Sequence, residues 1–289
     1  MAEKHEMKLL VVLAVAALGF LSVSAAFNRH EPRATTSATP QSADSRSKVP
    51  GAATPVIVEL FTSEGCSSCP PADAVLIELE KTQPVPGTEV IALGEHVDYW
   101  NHLGWADPYS SAGFSARQGE YAQAFGKDGV YTPQMIVDGQ TEFTGSNMDK
   151  ARAAIANAAH APKASVQVSP GANPAMKKTD GIALSVRVEN MPAVSPGDTA
   201  EVMLAITEND LRSQVARGEN AGRSLRHIAV VRQFKVIGSV NTGEEAFTAE
   251  PIVTIANGWK RANLRAVIFV QERVSRRVLG AKAIELAAN

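Results

Sequence analysis

The sequence predicts an α/β domain over residues 54–160 followed by an antiparallel, β-sandwich-like domain over 161–289. Three observations predict this. From 55 to 160, short β-branched runs alternate with segments whose apolar residues recur at three- and four-residue spacing. After Pro162 that spacing gives way to period-two strands separated by Gly, Pro and Asn turns. A length of 289 residues also suits about two domains.

The N-terminus precedes both. Lys4 and Lys8 stand before an apolar run from Leu9 to Leu21, which ends in Val23-Ser24-Ala25-Ala26. A charged stretch, an apolar stretch and small residues make a signal peptide over 1–26. Kept uncleaved, Leu9 to Phe27 is almost long enough to anchor the chain in the inner membrane. Either way the rest leaves the cytoplasm and is periplasmic or secreted. Residues 27–53 are rich in Ala, Ser, Thr and Pro without an apolar period and read as a disordered linker.

In the α/β stretch, Val56-Ile57-Val58-Glu59-Leu60-Phe61 is a buried strand. Cys69 to Lys81 is a helix, opened by Pro70 and Pro71 and carrying Val75, Leu76 and Leu79 on one face. Residues 89–96 form a strand, 110–125 a helix and 134–137 a strand. Asp138-Gly139 is a hairpin turn into 142–144. Asn147 or Ser146 caps an Ala-rich helix that runs to about His160. The order is β-α-β-α-β-β-α. In the second stretch, Ile182, Leu184, Val186 and Val188 alternate with Ala183, Ser185, Arg187 and Glu189, and Val202, Leu204 and Ile206 repeat the pattern. Further strands are expected at 226–237, 249–256, 262–272 and 277–286.

A net charge of −2 argues against a polyanion partner such as nucleic acid. The chain has two cysteines, Cys66 and Cys69. An exported chain holds them where disulfides persist, and so short a loop stabilises less than a long one. The pair therefore reads as chemical rather than architectural. At a strand end and helix start, three-residue spacing brings the sulfurs within bonding reach. The helix N-terminus would favour a Cys66 thiolate. Cys66 is then the exposed attacking sulfur and Cys69 the resolving one. Zinc normally needs a second ligand pair, which the sequence lacks, so metal binding and an inert disulfide stand as the alternatives. Thr132-Pro133 precedes the 134–137 strand. A cis proline there would leave the preceding backbone groups free to pair with an extended client, whereas the plain reading is a strand-opening proline.

Val56 to Phe61, Cys66-Ser67-Ser68-Cys69 and Thr132-Pro133 together resemble the thioredoxin superfamily. A longer pattern is similar to a bacterial exported family of unknown function within it. That pattern comprises Phe61 to Asp73, His96 to Trp105, Tyr131 to Gln134, and Gly218-Glu219-Asn220 through His227 and Arg232. The resemblance covers roughly 54–289 and implies a thioredoxin-like fold without naming a substrate. Gly65 stands where thioredoxins usually carry an aromatic residue, and Ser67-Ser68 where they carry Gly-Pro, so their reducing potential does not transfer. Glu59 matches the acid usually found beneath the second cysteine. Burial would raise its pKa and let it accept the Cys69 proton; the plain reading is a strand carboxylate bonded elsewhere.

Residues 96–105 pack two His, an Asp, a Tyr and two Trp into ten positions. They read as an aromatic, substrate-facing wall of His96, Trp100 and Trp105 over Cys66, with His96 or His102 tuning the thiolate. They also read as a copper site of His96, Asp98 and His102, or as a loop burying its own aromatics. Arg212, Arg217, Arg223, Arg226, Arg232 and Lys235 crowd into one stretch whose only acid is Glu219. It reads as a solvated basic face, an anion site or a contact between domains.

The sequence thus points to an exported thiol–disulfide oxidoreductase without a cofactor, acting on envelope protein thiols or disulfides through Cys66, Cys69, Glu59, Thr132 and Pro133. A non-catalytic envelope binding module, or a copper-handling protein, is the other reading. The membrane is a partner only if the N-terminal segment is retained, and the oligomeric state is left open.

Overall fold

The computed structural model describes residues 53–171, 181–240 and 246–286. The expected signal peptide (1–26) lies outside them, as does the expected linker (27–53) apart from residue 53. Among the described residues no helix is long and apolar enough to cross a membrane.

The first half runs β1 (Thr54–Thr62), α1 (Pro70–Thr82), β2 (Thr88–His96), α2 (Ala112–Ala124), β3 (Gln134–Val137), β4 (Thr141–Thr144) and α3 (Met148–Ala158). This is the order expected from the apolar spacing. β1 and β2 pair in parallel from Thr54 opposite Thr88 to Thr62 opposite His96. β3 returns antiparallel on the other side of β1, and β4 completes the hairpin. Period two then sorts β1. Val56, Val58 and Leu60 pack with Ala72, Leu76 and Leu79 of α1 and with Ala151 and Ile155 of α3. Ile57 and Phe61 face the other way, toward Phe114 and Tyr121 of α2. Helices on both faces explain why β1 reads as a continuous apolar run.

Local chemistry sets the ends. Pro70 and Pro71 occupy the first turn of α1, where their missing N–H groups cost nothing, and Gln83 ends it in the left-handed region at φ 46°. Asn147 caps α3 by accepting from the Lys150 N–H at 2.9 Å. Asp138 and Gly139 have φ of 50° and 69°, the pair of positive values a two-residue hairpin turn favours. A Cβ on Gly139 would stand 1.8 Å from the Arg276 carbonyl oxygen, so glycine is also required by contact.

The second half contributes β5 (Ser165–Pro170), β6 (Ile182–Glu189), β7 (Ala200–Glu208), β8 (Leu211–Gln214), β9 (Ser224–His227), β10 (Val230–Val240), β11 (Ala246–Ala249), β12 (Ile252–Val253), β13 (Leu264–Glu272) and β14 (Val278–Glu285). Four of these extend the sheet of the first half, giving the order β14-β13-β7-β10-β2-β1-β3-β4. The junction is narrow. Val230 sits opposite Gly94, and the Gly94 N–H donates to Ala229 O at 2.8 Å. A Cβ at Gly94 would lie 3.2 Å from the Ile228 carbonyl oxygen, so glycine lets the two strands meet. β5, β6, β11 and β12 form a second sheet. It stacks Leu184, Val186 and Val188 on Val202, Leu204, Ile206, Ala266 and Ile268.

The expected boundary at 160/161 falls between α3 and β5, while the large sheet runs across it. The strand expected at 226–237 is two strands, because Ala229 turns at φ 49° between β9 and β10. That turn frees β9 to pair with β8 as a separate ribbon.

Candidate functional site

β1 ends at Thr62, and a short loop carries the chain to the first turn of α1. Within that turn the Cys69 N–H donates to Cys66 O at 3.2 Å, and Cys66 and Cys69 are joined by a disulfide with Cα atoms 5.4 Å apart. Cys69 is the N-cap residue of α1. Ser67 and Ser68 are exposed. Both cysteines are buried, at 0% exposure, which corrects the expectation of an exposed Cys66.

The cover comes from the second half. The loop between β8 and β9 closes on itself through Gly222 N–H to Val215 O at 2.8 Å. Its Asn220 side chain is buried and donates to the carbonyls of Glu64 and Cys66 at 2.8 and 2.9 Å. Glu219 accepts the Ser67 N–H at 2.9 Å, a bond that holds its carboxyl below the usual range. On the other flank, Trp100 packs so closely that a Cβ on Gly65 would stand 3.0 Å from Trp100 Cβ. This is a physical reason for glycine where an aromatic residue was the comparison. Trp100 Nε1 in turn donates to Thr132 Oγ1 at 2.8 Å, and the Thr132–Pro133 peptide is cis.

Beside the disulfide loop lies a buried polar cluster. Glu64 is fully buried; its carboxylate meets Trp105 Nε1 at 2.7 Å and His227 Nε2 at 3.1 Å, and its own N–H donates to Asp107 at 2.8 Å. Asp107 also meets His96 Nδ1 at 2.7 Å. Burial works against charge on His96, but the Asp107 charge and hydrogen bond outweigh it and raise the His96 pKa. Burial likewise pushes Asp107 up, and His96 with two backbone N–H groups pulls it below its ordinary value. The rings of His96 and His227 meet edge to face with centroids 4.7 Å apart, and Tyr109 flanks both. Asp73, in the first turn of α1, accepts from Thr62 Oγ1 at 2.9 Å and lies 3.8 Å from His227 Nδ1. Burial raises its pKa despite the pull of both histidines. A cavity of about 10 Å³ lies among Asp73, His96 and His227.

Two expectations are corrected here. Glu59 is turned away from α1 by strand alternation. It accepts from Arg117 Nε at 2.7 Å and from the Tyr121 hydroxyl, both on α2. Burial pushes its carboxyl up, yet the Arg117 charge and hydrogen bonds hold it below the ordinary value. The acid one turn from Cys69 is Asp73 instead. The copper set also fails to converge. His96 is bound to Asp107, Asp98 accepts from Ser115 Oγ at 2.5 Å, and His102 faces the Tyr99 carbonyl at 2.7 Å. Among the described residues no three His, Cys, Asp or Glu side chains form a metal-holding group.

Of the expected site residues, then, Cys66, Cys69, Trp100, Thr132 and Pro133 line one loop cluster, and His96 and Trp105 belong to the polar cluster beside it. Sequence reasoning missed Glu64, Asp73, Asp107 and His227 as partners and Asn220 as the cover. The one available signal was that most of them fall inside the stretches carrying the family resemblance. The basic run disperses: Arg226 pairs with Asp210 at 2.7 Å, Arg232 with Glu208 at 3.3 Å, and Arg223 donates to Asn220 at 2.8 Å.

A family described as "Protein of unknown function (DUF1223)" matches residues 57–271. No curated protein matches the chain. Among solved structures, an Agrobacterium tumefaciens protein is 24% identical, with a TM-score of 0.60 over 82% of this chain and 96% of that one. HBP35 of Porphyromonas gingivalis is 17% identical, with a TM-score of 0.57 over 81% of this chain and 76% of that one. At these identities the likeness is one of fold.

Proposed function

The chain belongs to the DUF1223 family of proteins of unknown function, and on that premise we propose that it is an exported thiol–disulfide exchange protein of the bacterial envelope, built on a thioredoxin-like half. One observation carries the reading: the Cys66–Cys69 disulfide opens α1 with a buried acid, Asp73, one helical turn further on. A client thiolate attacks Cys66 Sγ, the disulfide breaks, and Cys69 leaves as a thiolate. Asp73, kept protonated to higher pH by burial, is the proton donor for that thiolate. A second client thiolate then displaces Cys66, releasing an oxidised client and a reduced pair. The same steps in reverse reduce a client disulfide. Thr132 and Pro133 take the client backbone beside Cys66, and Trp100 positions them.

The burial of both cysteines favours a second reading, a non-catalytic envelope module whose disulfide braces the loop under Asn220. A glutathione redox titration of the full chain separates the two, with thiol alkylation followed by mass spectrometry. Exchange predicts a midpoint in the glutathione-accessible range and faster alkylation at Cys66 than at Cys69. A disulfide that glutathione leaves intact, or two equally sluggish thiols, sinks the exchange reading and leaves the module.

A further inference from the structure

We propose that the groove between α2 and the face of β7 and β10 is a binding site for a small amphipathic carboxylate, an anionic head on an apolar body. The groove encloses about 980 Å³, the size of a small-molecule site. It does not depend on the exchange chemistry.

The cations on its wall fall into two groups. Arg117, Arg232 and Arg276 are committed: Arg117 to Glu59 at 2.7 Å, Arg232 to Glu208 at 3.3 Å and Arg276 to Glu120 at 3.0 Å. Arg273 and Lys235 have no acidic partner among the described residues, and Lys235 Nζ reaches only the Ile252 carbonyl, at 3.1 Å. Each sits next to an exposed apolar residue of the same wall: Val274 is 70% exposed and Val236 48%. A cation beside bare aliphatic surface on both rims is what an anionic head and an apolar body would meet. The floor adds aromatic area. Arg232 lies 5.3 Å from the ring centres of both Tyr109 and Trp259, and Arg117 lies 4.5 Å over Phe234. Capping these arginines from behind leaves their aromatic partners fixed in place.

An independent observation also points to a ligand. Two buried polar atoms of groove-lining residues, Arg276 Nε and Gln233 Oε1, have no hydrogen-bond partner among the described residues. Buried polar atoms are normally satisfied. Glu201, also lining the groove, is an acid that the anionic head must avoid.

The test is a fluorescence titration of the full chain with anilinonaphthalenesulfonate, displaced by dodecanoate or by dodecanol. The expected result is saturable binding that weakens with salt and is displaced by dodecanoate far better than by dodecanol. Joint Arg273→Glu and Val274→Asp substitution weakens it by roughly tenfold or more, about 1.4 kcal/mol, with an unchanged far-ultraviolet circular dichroism spectrum. Arg212→Glu, outside the groove, leaves it intact. Should the paired variant fail to fold, Val236→Asp on β10 gives the same reading. Absence of saturable binding, equal displacement by the alcohol, or wild-type binding in the rim variants overturns the proposal.

Discussion

Asn220 and Cys66 are 154 residues apart in sequence, yet the Asn220 amide donates to the Cys66 carbonyl at 2.9 Å while also holding the Glu64 carbonyl at 2.8 Å. A single side chain from the second half thus ties down the backbone on both sides of Gly65. The loop that bears it adds Glu219, bonded to the Ser67 N–H. If the same contacts shield the sulfurs, access to the disulfide depends on opening this loop.

Asn220→Ala leaves two buried carbonyls without their donor, a loss of about 1–2 kcal/mol in the closed state. If reduction proceeds through the open loop, the rate with a small thiol rises roughly 5- to 30-fold. Timed reduction, quenched by alkylation and read by mass, measures it. A rate equal to wild type would show that the loop does not gate the sulfurs.

A second relationship lies on the opposite face of β1. Glu59 and Glu95 are both fully buried and share one cation, Arg117, at 2.7 and 3.5 Å. Burial first, and then the Glu59 charge, pushes the Glu95 carboxyl well above its ordinary value. Its folded value lies above its unfolded one, so ionising it opposes folding. The cost begins above the ordinary carboxylate range and grows until pH passes the folded value. Glu59 has the opposite sign: its stabilisation is complete above the ordinary range and is lost as pH falls through its lowered value. Glu95→Gln is therefore expected to be tolerated, with its advantage over wild type growing as pH rises. Glu59→Gln is softened because Glu95 can ionise and take over Arg117. The double variant strands the arginine and costs roughly 3–5 kcal/mol. Urea unfolding across pH checks all three. A double variant no worse than Glu59→Gln alone would contradict the shared-charge account.

The local half of this molecule is legible in its sequence and the non-local half is not. α1 announces itself through Pro70, Pro71 and the Val75, Leu76, Leu79 face, and the Asp138-Gly139 turn through its residue types. The cysteine spacing marks the disulfide for the same reason: all of its geometry lies within one helical turn. Glu59 was misplaced because alternation along β1 gives two faces, and nothing local says which of them α1 will cover. Glu64 finds His227 across 163 residues and its N–H finds Asp107 across 43. The His227 partnership follows from β10 settling beside β2, a junction registered by the single pair Val230 and Gly94, and the Asp107 one from the segment between β2 and α2 folding back over the end of β1. Period two identifies β10 as a strand but not its neighbour.

The His96 and Asp107 pair has a window set by both groups. The Asp107 contribution is present above the ordinary carboxylate range and is lost as pH falls through its lowered folded value. That of His96 is present below the ordinary imidazole value and is lost as pH rises through its raised folded value. The pair therefore stabilises the fold across acidic and near-neutral pH and weakens on the alkaline side. Asp107→Asn keeps the shape and one hydrogen bond but removes the charge that holds the imidazolium in a buried setting. Burial then dominates, and the His96 titration moves below the ordinary imidazole range. Nuclear magnetic resonance of the His96 ring across pH reads that shift directly, and thermal unfolding at the same pH values should lose the alkaline decline and show stability falling instead as pH drops through the ordinary imidazole range. A His96 titration unmoved by the substitution would mean that Asp73 and Glu64, the next carboxylates around the ring, sustain the charge instead, and the alkaline decline would then stay where it is in the wild type.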